Sequence, residues 1–280
     1  MKKLLLSIML VASAVSVVFA QDTDDKAIYT DLRAELIGTP KDDINNVITL
    51  TAKYFLESPY VAHTLDSNSV EQLVVNLDRF DCLTFVESVL ALSIDYMSPD
   101  PEYANFENTL QKIRYRNGNI CGYTSRLHYT SDWIYDNVQK GIVTDRTKGL
   151  GGLPFRPIVN YMSAHPQNYE QLKNNSHAVD SMRTIEKQIN LRKAMYFIPK
   201  ARVSAVAKNI NSGDLIMITT TMAGLDYAHV GFAIKDNGVL KFIHASSDKQ
   251  KVVITSGSLA QYLLNVKSFT GISVLRAKQL

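Results

Sequence analysis

Cysteine is scarce in this chain: 280 residues carry only Cys82 and Cys121. At most one disulfide can form, and no C-x-x-C pair is present. H-E-x-x-H and H-x-x-E-H are also missing, so the local signatures of zinc hydrolases are not there. Charge of one sign is not in excess. The net charge is +3 and the two signs are interspersed, which argues against a nucleic-acid-binding arm and against disorder. Repeats and low-complexity segments are absent. A long apolar run occurs once, from Leu4 to Phe19.

That run follows Met1-Lys2-Lys3 and ends in Val18-Phe19-Ala20, with small residues where a signal peptidase reads. The expectation is a signal peptide over 1–20 and an exported protein, periplasmic or in the cell envelope. The run is short for a span, and no cysteine follows it to take a lipid. No membrane span is therefore expected after cleavage. Export leaves open whether Cys82 and Cys121 pair or whether one stays a reactive thiol.

What is present is enough apolar material for a sizeable core, at 46% hydrophobic residues. Residues 21–30 are acidic and read as loose. Helical spacing covers 42–57, with Pro59 beyond it, then Cys82 to Met97, 103–116 and 129–140. Residues 73–77 read as a short strand, 149–154 as a loop, and 167–193 as mostly helix. After that the pattern becomes short and β-branched: 214–219, 229–235, 239–245, 252–255 and 271–276. Asp236-Asn237-Gly238 is a hairpin turn signal between two of these. Helices followed by an antiparallel sheet predict an α+β fold, with 21–280 as one elaborated domain.

Asp81 predicts a helix cap, which puts Cys82 in the first turn. A helix start stabilises negative charge and lowers a thiol pKa, which suits a nucleophile. A lone cysteine is more often a small buried side chain, so a partner is needed. His63, His165 and His177 lie in polar, loop-like surroundings. His229 and His244 lie in two strand-like segments, A-H-V-G-F-A-I and F-I-H-A-S, joined by the tight turn. If the register allows, the imidazoles sit side by side. His229 is then the base for Cys82, and His244 holds its other nitrogen. Cys82, His229 and His244 also number three zinc ligands, with no local motif to support them.

D-C-L-T-F, A-H-V-G-F-A-I and F-I-H-A-S, in that order, resemble the NlpC/P60 superfamily of papain-like cell-wall peptidases and amidases. S-P-Y-V-A-H-T-L resembles that superfamily's stretch whose Tyr lies beside the nucleophile, and Tyr60 matches it. The glycine pair and Trp of that stretch are missing, and Leu-Thr follows the cysteine where Ser-Gly is commoner. F-D-C-L-T-F-V-E, R-L-H-Y-T-S-D-W, G-D-L-I-M-I-T-T and G-L-D-Y-A-H-V-G together are similar to the DUF1460 branch, across roughly Ile44 to Arg276. The resemblance implies a papain-like core with extra helical elements. It implies N-acetylmuramoyl-L-alanine amidase activity on muropeptides or peptidoglycan fragments, with no cofactor. Catalytic Cys82, His229, His244 and Tyr60 follow from it, with the Cys82 N–H and the Tyr60 hydroxyl facing an oxyanion.

Arg126, His128, Tyr129, Asp132 and Trp133 form a polar-aromatic cluster. Trp133 reads as core. Tyr123, Arg126, His128 and Tyr129 are candidates for substrate binding, since aromatic faces suit sugars and Arg suits carboxylates. Asp81 is a cap and a candidate substrate contact. Ser246 and Ser247 read as turn residues near the site. A monomer is expected. The competing functions are a γ-D-glutamyl-L-diamino acid endopeptidase and a non-catalytic cell-wall-binding module.

Overall fold

The structure is a computed structural model that describes residues 24–279 apart from 67 and 69. The expected signal peptide lies outside the described residues. In chain order the helices are α1 (Asp25–Glu35), α2 (Ile44–Tyr54), α3 (Cys82–Met97), α4 (Tyr103–Arg114), α5 (Thr130–Gln139), α6 (Tyr161–Ala164), α7 (Ser176–Asn190), α8 (Val203–Val206) and α9 (Leu259–Asn265). The strands are β1 (Val143–Asp145), β2 (Leu153–Phe155), β3 (Met195–Pro199), β4 (Leu215–Thr220), β5 (Tyr227–Asp236), β6 (Val239–Ser246), β7 (Lys251–Ile254) and β8 (Phe269–Ala277).

The sheet runs β2-β3-β8-β4-β5-β6-β7, with β1 also on β8, and its pairs are antiparallel. The α+β expectation matches this arrangement. The β5–β6 hairpin closes through Asn237 and Gly238, both at positive φ (49° and 79°), as a type I′ turn needs. Alternation splits the sheet's side chains between two cores. On one face, Phe85, Val86 and Val89 of α3 meet Met217, Val230, Phe232 and Ile243. On the other, Leu259 and Leu263 of α9 meet Ile216, Ala233, Phe242 and Ile272. A third cluster, with Tyr129, Met162, Leu172 and Met182, holds the helical elaboration around α5 to α7.

Two local expectations are corrected. Residues 25–35 are helical rather than loose. Asp24 caps the helix by accepting from the Lys26 N–H at 3.0 Å, and Tyr29 and Leu32 bury its inner face. Residues 73–77 form no strand. Two of their backbone groups are held by side chains: Asp25 accepts from the Leu77 N–H at 2.7 Å, and Arg114 donates to the Val74 carbonyl at 2.6 Å. A run of β-branched residues carries no information about whether a neighbouring strand exists to pair with it. Trp133 is fully buried, and its indole N–H donates to Glu87 at 3.2 Å. Glu87 also pairs with buried Arg114 at 2.6 Å, which compensates a carboxylate inside α3.

Candidate active site

The nucleophile candidate sits where the sequence places it. Asp81 caps α3 by accepting from the Thr84 N–H at 2.8 Å, and Thr84 Oγ1 accepts from the Asp81 N–H at 2.9 Å. This reciprocal cap fixes the first turn and therefore Cys82. The thiol lies within reach of its own N–H, of the Leu83 N–H and of the Val230 N–H on β5. The β5–β6 ladder ends at Phe232↔Ile243, so Val230 stands just beyond its end. The sulfur thus rests where the two strands part.

The electrostatics differ from the expectation of a lowered thiol pKa. Burial, then the Asp81 carboxylate, push the Cys82 thiol up to about 12, against the pull of the three N–H groups. Desolvation outweighs the helix start here. Cys82 and Cys121 are both free thiols, so the pairing left open by the sequence is not made.

The histidine pair forms, although not by direct opposition. The ladder register, continued one step, sets Gly231 against His244 and leaves His229 on the diagonal. Gly231 has no side chain to fill the gap. A Cβ there would lie 2.5 Å from the Ile243 carbonyl oxygen and 2.8 Å from the Phe242 ring. Across it, His229 Nε2 and His244 Nδ1 are 2.7 Å apart, with the rings nearly perpendicular at 88°. Burial lowers His229 to about 4; burial and then His229 lower His244 to about 3. Both rings are therefore neutral near pH 7.

Tyr60 is held on an irregular strap between α2 and α3. Its N–H donates to the Gln250 carbonyl at 2.9 Å, and the Val61 N–H donates to the Phe80 carbonyl at 2.9 Å. The strap thus lies between β7 and the start of α3. Burial, then the neighbouring Cys82 and Asp81, push the Tyr60 hydroxyl up to about 12. It stays protonated near neutral pH. Ser246 Oγ accepts from the Lys249 N–H at 3.2 Å, as a turn residue does.

The substrate-binding candidates divide. Tyr123 lines an open cleft of about 850 Å³ with Asp66, Glu71, Gln171, Lys173 and His177. Arg126 lies behind it. Its buried guanidinium pairs with Asp66 at 3.0 Å and Glu71 at 3.2 Å, and stacks over the Tyr123 ring at 4.9 Å. Both carboxylates belong to the strap, so Arg126 anchors the segment that carries Tyr60. Burial, then Arg126, lower His128 to about 3, and its Nε2 contacts the Tyr123 carbonyl oxygen at 2.9 Å. Tyr129 departs from expectation: it is buried in the third core, and its hydroxyl bonds to Glu186 at 2.7 Å and to the Met162 N–H at 3.0 Å. An aromatic in a polar-looking motif gives no sign of which way its ring points.

Two residues at the site carried no signal in the sequence. Phe242 stacks on His244 at 4.7 Å, and Tyr262 of α9 lies 5.2 Å from the same ring. Both read as ordinary core positions. Among the described residues, no group of three or more His, Cys, Asp or Glu side chains is arranged to hold a metal ion, and no helix is long and apolar enough to cross a membrane.

Comparison with known proteins gives the family. Residues 50–272 match the AmiA-like, N-acetylmuramoyl-L-alanine amidase-like family. A Bacteroides uniformis N-acetylmuramoyl-L-alanine amidase structure is similar at 40% identity and a TM-score of 0.80, covering 84% of this chain and 99% of the other. A Bacteroides fragilis structure, provisionally named a xylanase, is similar at 40% identity and a TM-score of 0.76, covering 81% and 99%. A Legionella pneumophila protein of the DUF1460 family shares the fold at 23% identity and a TM-score of 0.69, covering 90% and 95%. No curated protein matches. With most of its length inside the family match and 40% identity to a solved relative over 84% of the chain, the chain belongs to the N-acetylmuramoyl-L-alanine amidase-like family.

Proposed function

We propose that this protein is a cysteine hydrolase of the NlpC/P60 type that cuts the amide between N-acetylmuramic acid and L-alanine in muropeptides, acting in the cell envelope after export. The observations that support the mechanism are the Cys82 thiol at the Val230 N–H, on the residue that follows His229 along β5, and the bonded His229–His244 pair. The chemistry comes from the family relatives, one of which is named for that activity.

At rest the thiol and both imidazoles are neutral. His229 takes the thiol proton at Nδ1 as sulfur attacks the lactyl carbonyl carbon, so proton transfer accompanies attack. The oxyanion faces the Cys82 N–H and the Tyr60 hydroxyl, a kind of contact worth about 3 kcal/mol per donor. His229 then returns the proton to the L-alanine nitrogen, and the C–N bond breaks to leave a thioester. Water, deprotonated by His229, attacks the thioester carbon and frees the acid and the thiol. The cleft lined by Tyr123 is the place for the sugar or stem peptide. The strap, fixed by Arg126, forms one wall.

The test uses a defined muramyl peptide with wild type and Cys82→Ala, read by mass spectrometry. Wild type releases the intact L-alanyl peptide and the mutant releases nothing. Turnover by Cys82→Ala at the wild-type rate sinks the nucleophile. A cut after D-glutamate sinks the amidase in favour of an endopeptidase. Tight binding with no turnover by either protein indicates a binding module.

A further inference from the structure

In the proposed mechanism His244 orients His229, yet its ring has only one polar partner among the described residues. Among the described residues, the sole hydrogen-bond partner of its ring nitrogens is His229. The outer torsion of a histidine is broad and roughly two-fold, so one bond does not fix the ring plane. Packing has to do it. His244 is 2% exposed, and three rings close around one another: Phe242 with His244 at 4.7 Å, His244 with Tyr262 at 5.2 Å, and Phe242 with Tyr262 at 5.6 Å.

We propose that Tyr262 is a positioning residue of the Cys82–His229–His244 set: its ring, with Phe242, clamps the His244 imidazole so that Nδ1 stays aimed at His229 Nε2, and it keeps water from that bond. This rests on the nucleophile–base reading above. The clamp is rigidly mounted. Ser258 and Gln261 form a reciprocal cap at the start of α9, and Leu259 and Leu263 on either side of Tyr262 are fully buried in the second core. Phe269 backs the ring at 5.9 Å.

The ring carries the role rather than the hydroxyl. No hydrogen bond is made by the Tyr262 hydroxyl among the described residues. Burial, then Asp248 and Cys82, push it up to about 12, so it stays a neutral phenol and does not compete as a base. The titratable groups that act on Tyr262 are Asp248, after β6, and Cys82, at the start of α3; those that act on Cys82 and Tyr60 include Asp81, the cap of α3. The lowered pKa of His229 has burial as its cause. Removing the cover therefore acts through solvent access.

The experiment compares Tyr262→Phe and Tyr262→Leu in the full chain, with Tyr262→Met as a second variant if Leu does not fold. Kinetics on the muramyl peptide are expected to show Phe matching wild type. Leu or Met loses about tenfold or more in kcat with KM little changed, because a small misplacement of the base is costly. The acid limb of kcat/KM moves up by about one pH unit as water reaches the imidazoles. A second readout needs no turnover. In the Cys82→Ala background, imidazole proton NMR titration shows the His229 and His244 midpoints rising toward 6.5 in Leu or Met and unmoved in Phe. Unchanged kcat and midpoints in Leu or Met overturn the clamp. Loss in Phe equal to that in Leu overturns the ring-based role. If no variant cuts the amide and the midpoints still move, the amidase reading falls and the clamp stands.

Discussion

His229 Nε2 lies 2.7 Å from His244 Nδ1, and under the proposed mechanism this contact assigns the nitrogens of the pair. The nitrogen left for Cys82 is His229 Nδ1. To take a proton it must be bare, so His229 carries its hydrogen on Nε2 and donates to His244 Nδ1. His244 then carries its own hydrogen on Nε2. His244→Ala removes the acceptor that selects this tautomer. Expected is a fall in kcat of about 10²- to 10⁴-fold with KM little changed, measured on the muramyl peptide. His244→Gln, which offers an amide oxygen, keeps more activity than Ala.

Asp81 raises the thiol pKa while capping the helix that carries it. Asp81→Asn removes the negative charge and keeps a capping side chain. Without the charge the thiolate is easier to form, so the thiol pKa falls. Iodoacetamide alkylation of Cys82 near pH 8, followed by mass spectrometry, is expected to be faster in the variant. An equal or slower rate contradicts the assignment. Stability changes little.

Arg126 reads in the sequence as a substrate contact, and the structure uses it as an anchor for Asp66 and Glu71. Arg126→Ala leaves two carboxylates facing each other beneath the strap. Breaking a buried ion pair costs about 3 to 5 kcal/mol, so urea unfolding is expected to show a loss of that order. The fall in activity follows from displacement of Tyr60. A variant that keeps full stability and loses only KM would falsify the anchoring role.

Three histidines, His128, His229 and His244, have folded-state values lowered to between about 3 and 4, from 6.5 when unfolded. The unfolded chain therefore binds protons that the folded chain refuses. Their contribution is fully present above pH 6.5 and is lost as the pH falls toward 4. Each contributes a slope of about 1.4 kcal/mol per pH unit inside that window. Burial raises Glu87 and Asp226 in the folded state, so these carboxylates act in the opposite sense as they ionise. A difference measurement isolates one ring. The stability gap between wild type and His128→Gln, from urea titrations at pH 7 and pH 5, is expected to shrink at pH 5.

Much of this site is legible in the sequence because its determinants are local. The α3 start is written in Asp81 and Thr84, and the hairpin that brings His229 to His244 is written in Asn237-Gly238. Tyr60 is legible only through resemblance, and Cys82 is among the groups that raise its pKa. What fails is whatever depends on long-range packing. The thiol pKa runs opposite to expectation because burial in the folded chain outweighs the helix start. Arg126 and Tyr129 turn inward because Glu71 and Glu186, 55 and 57 residues away in the chain, wait for them there. Tyr262 is silent because a tyrosine between two core leucines looks the same whether or not a histidine lies beneath it.

The strap that carries Tyr60 also borders the last strand of the sheet. The Glu57 N–H donates to the Val252 carbonyl at 3.0 Å, the Val252 N–H donates to the Ser58 carbonyl at 2.8 Å, and the Tyr60 N–H donates to the Gln250 carbonyl. These bonds occupy the outer edge of β7, which would otherwise offer a template for another chain's strand. The same few residues therefore cover the sheet edge against intermolecular pairing and hold Tyr60, the donor of the proposed reaction. A change that frees the strap releases both at once, so aggregation and inactivity should rise together in this segment.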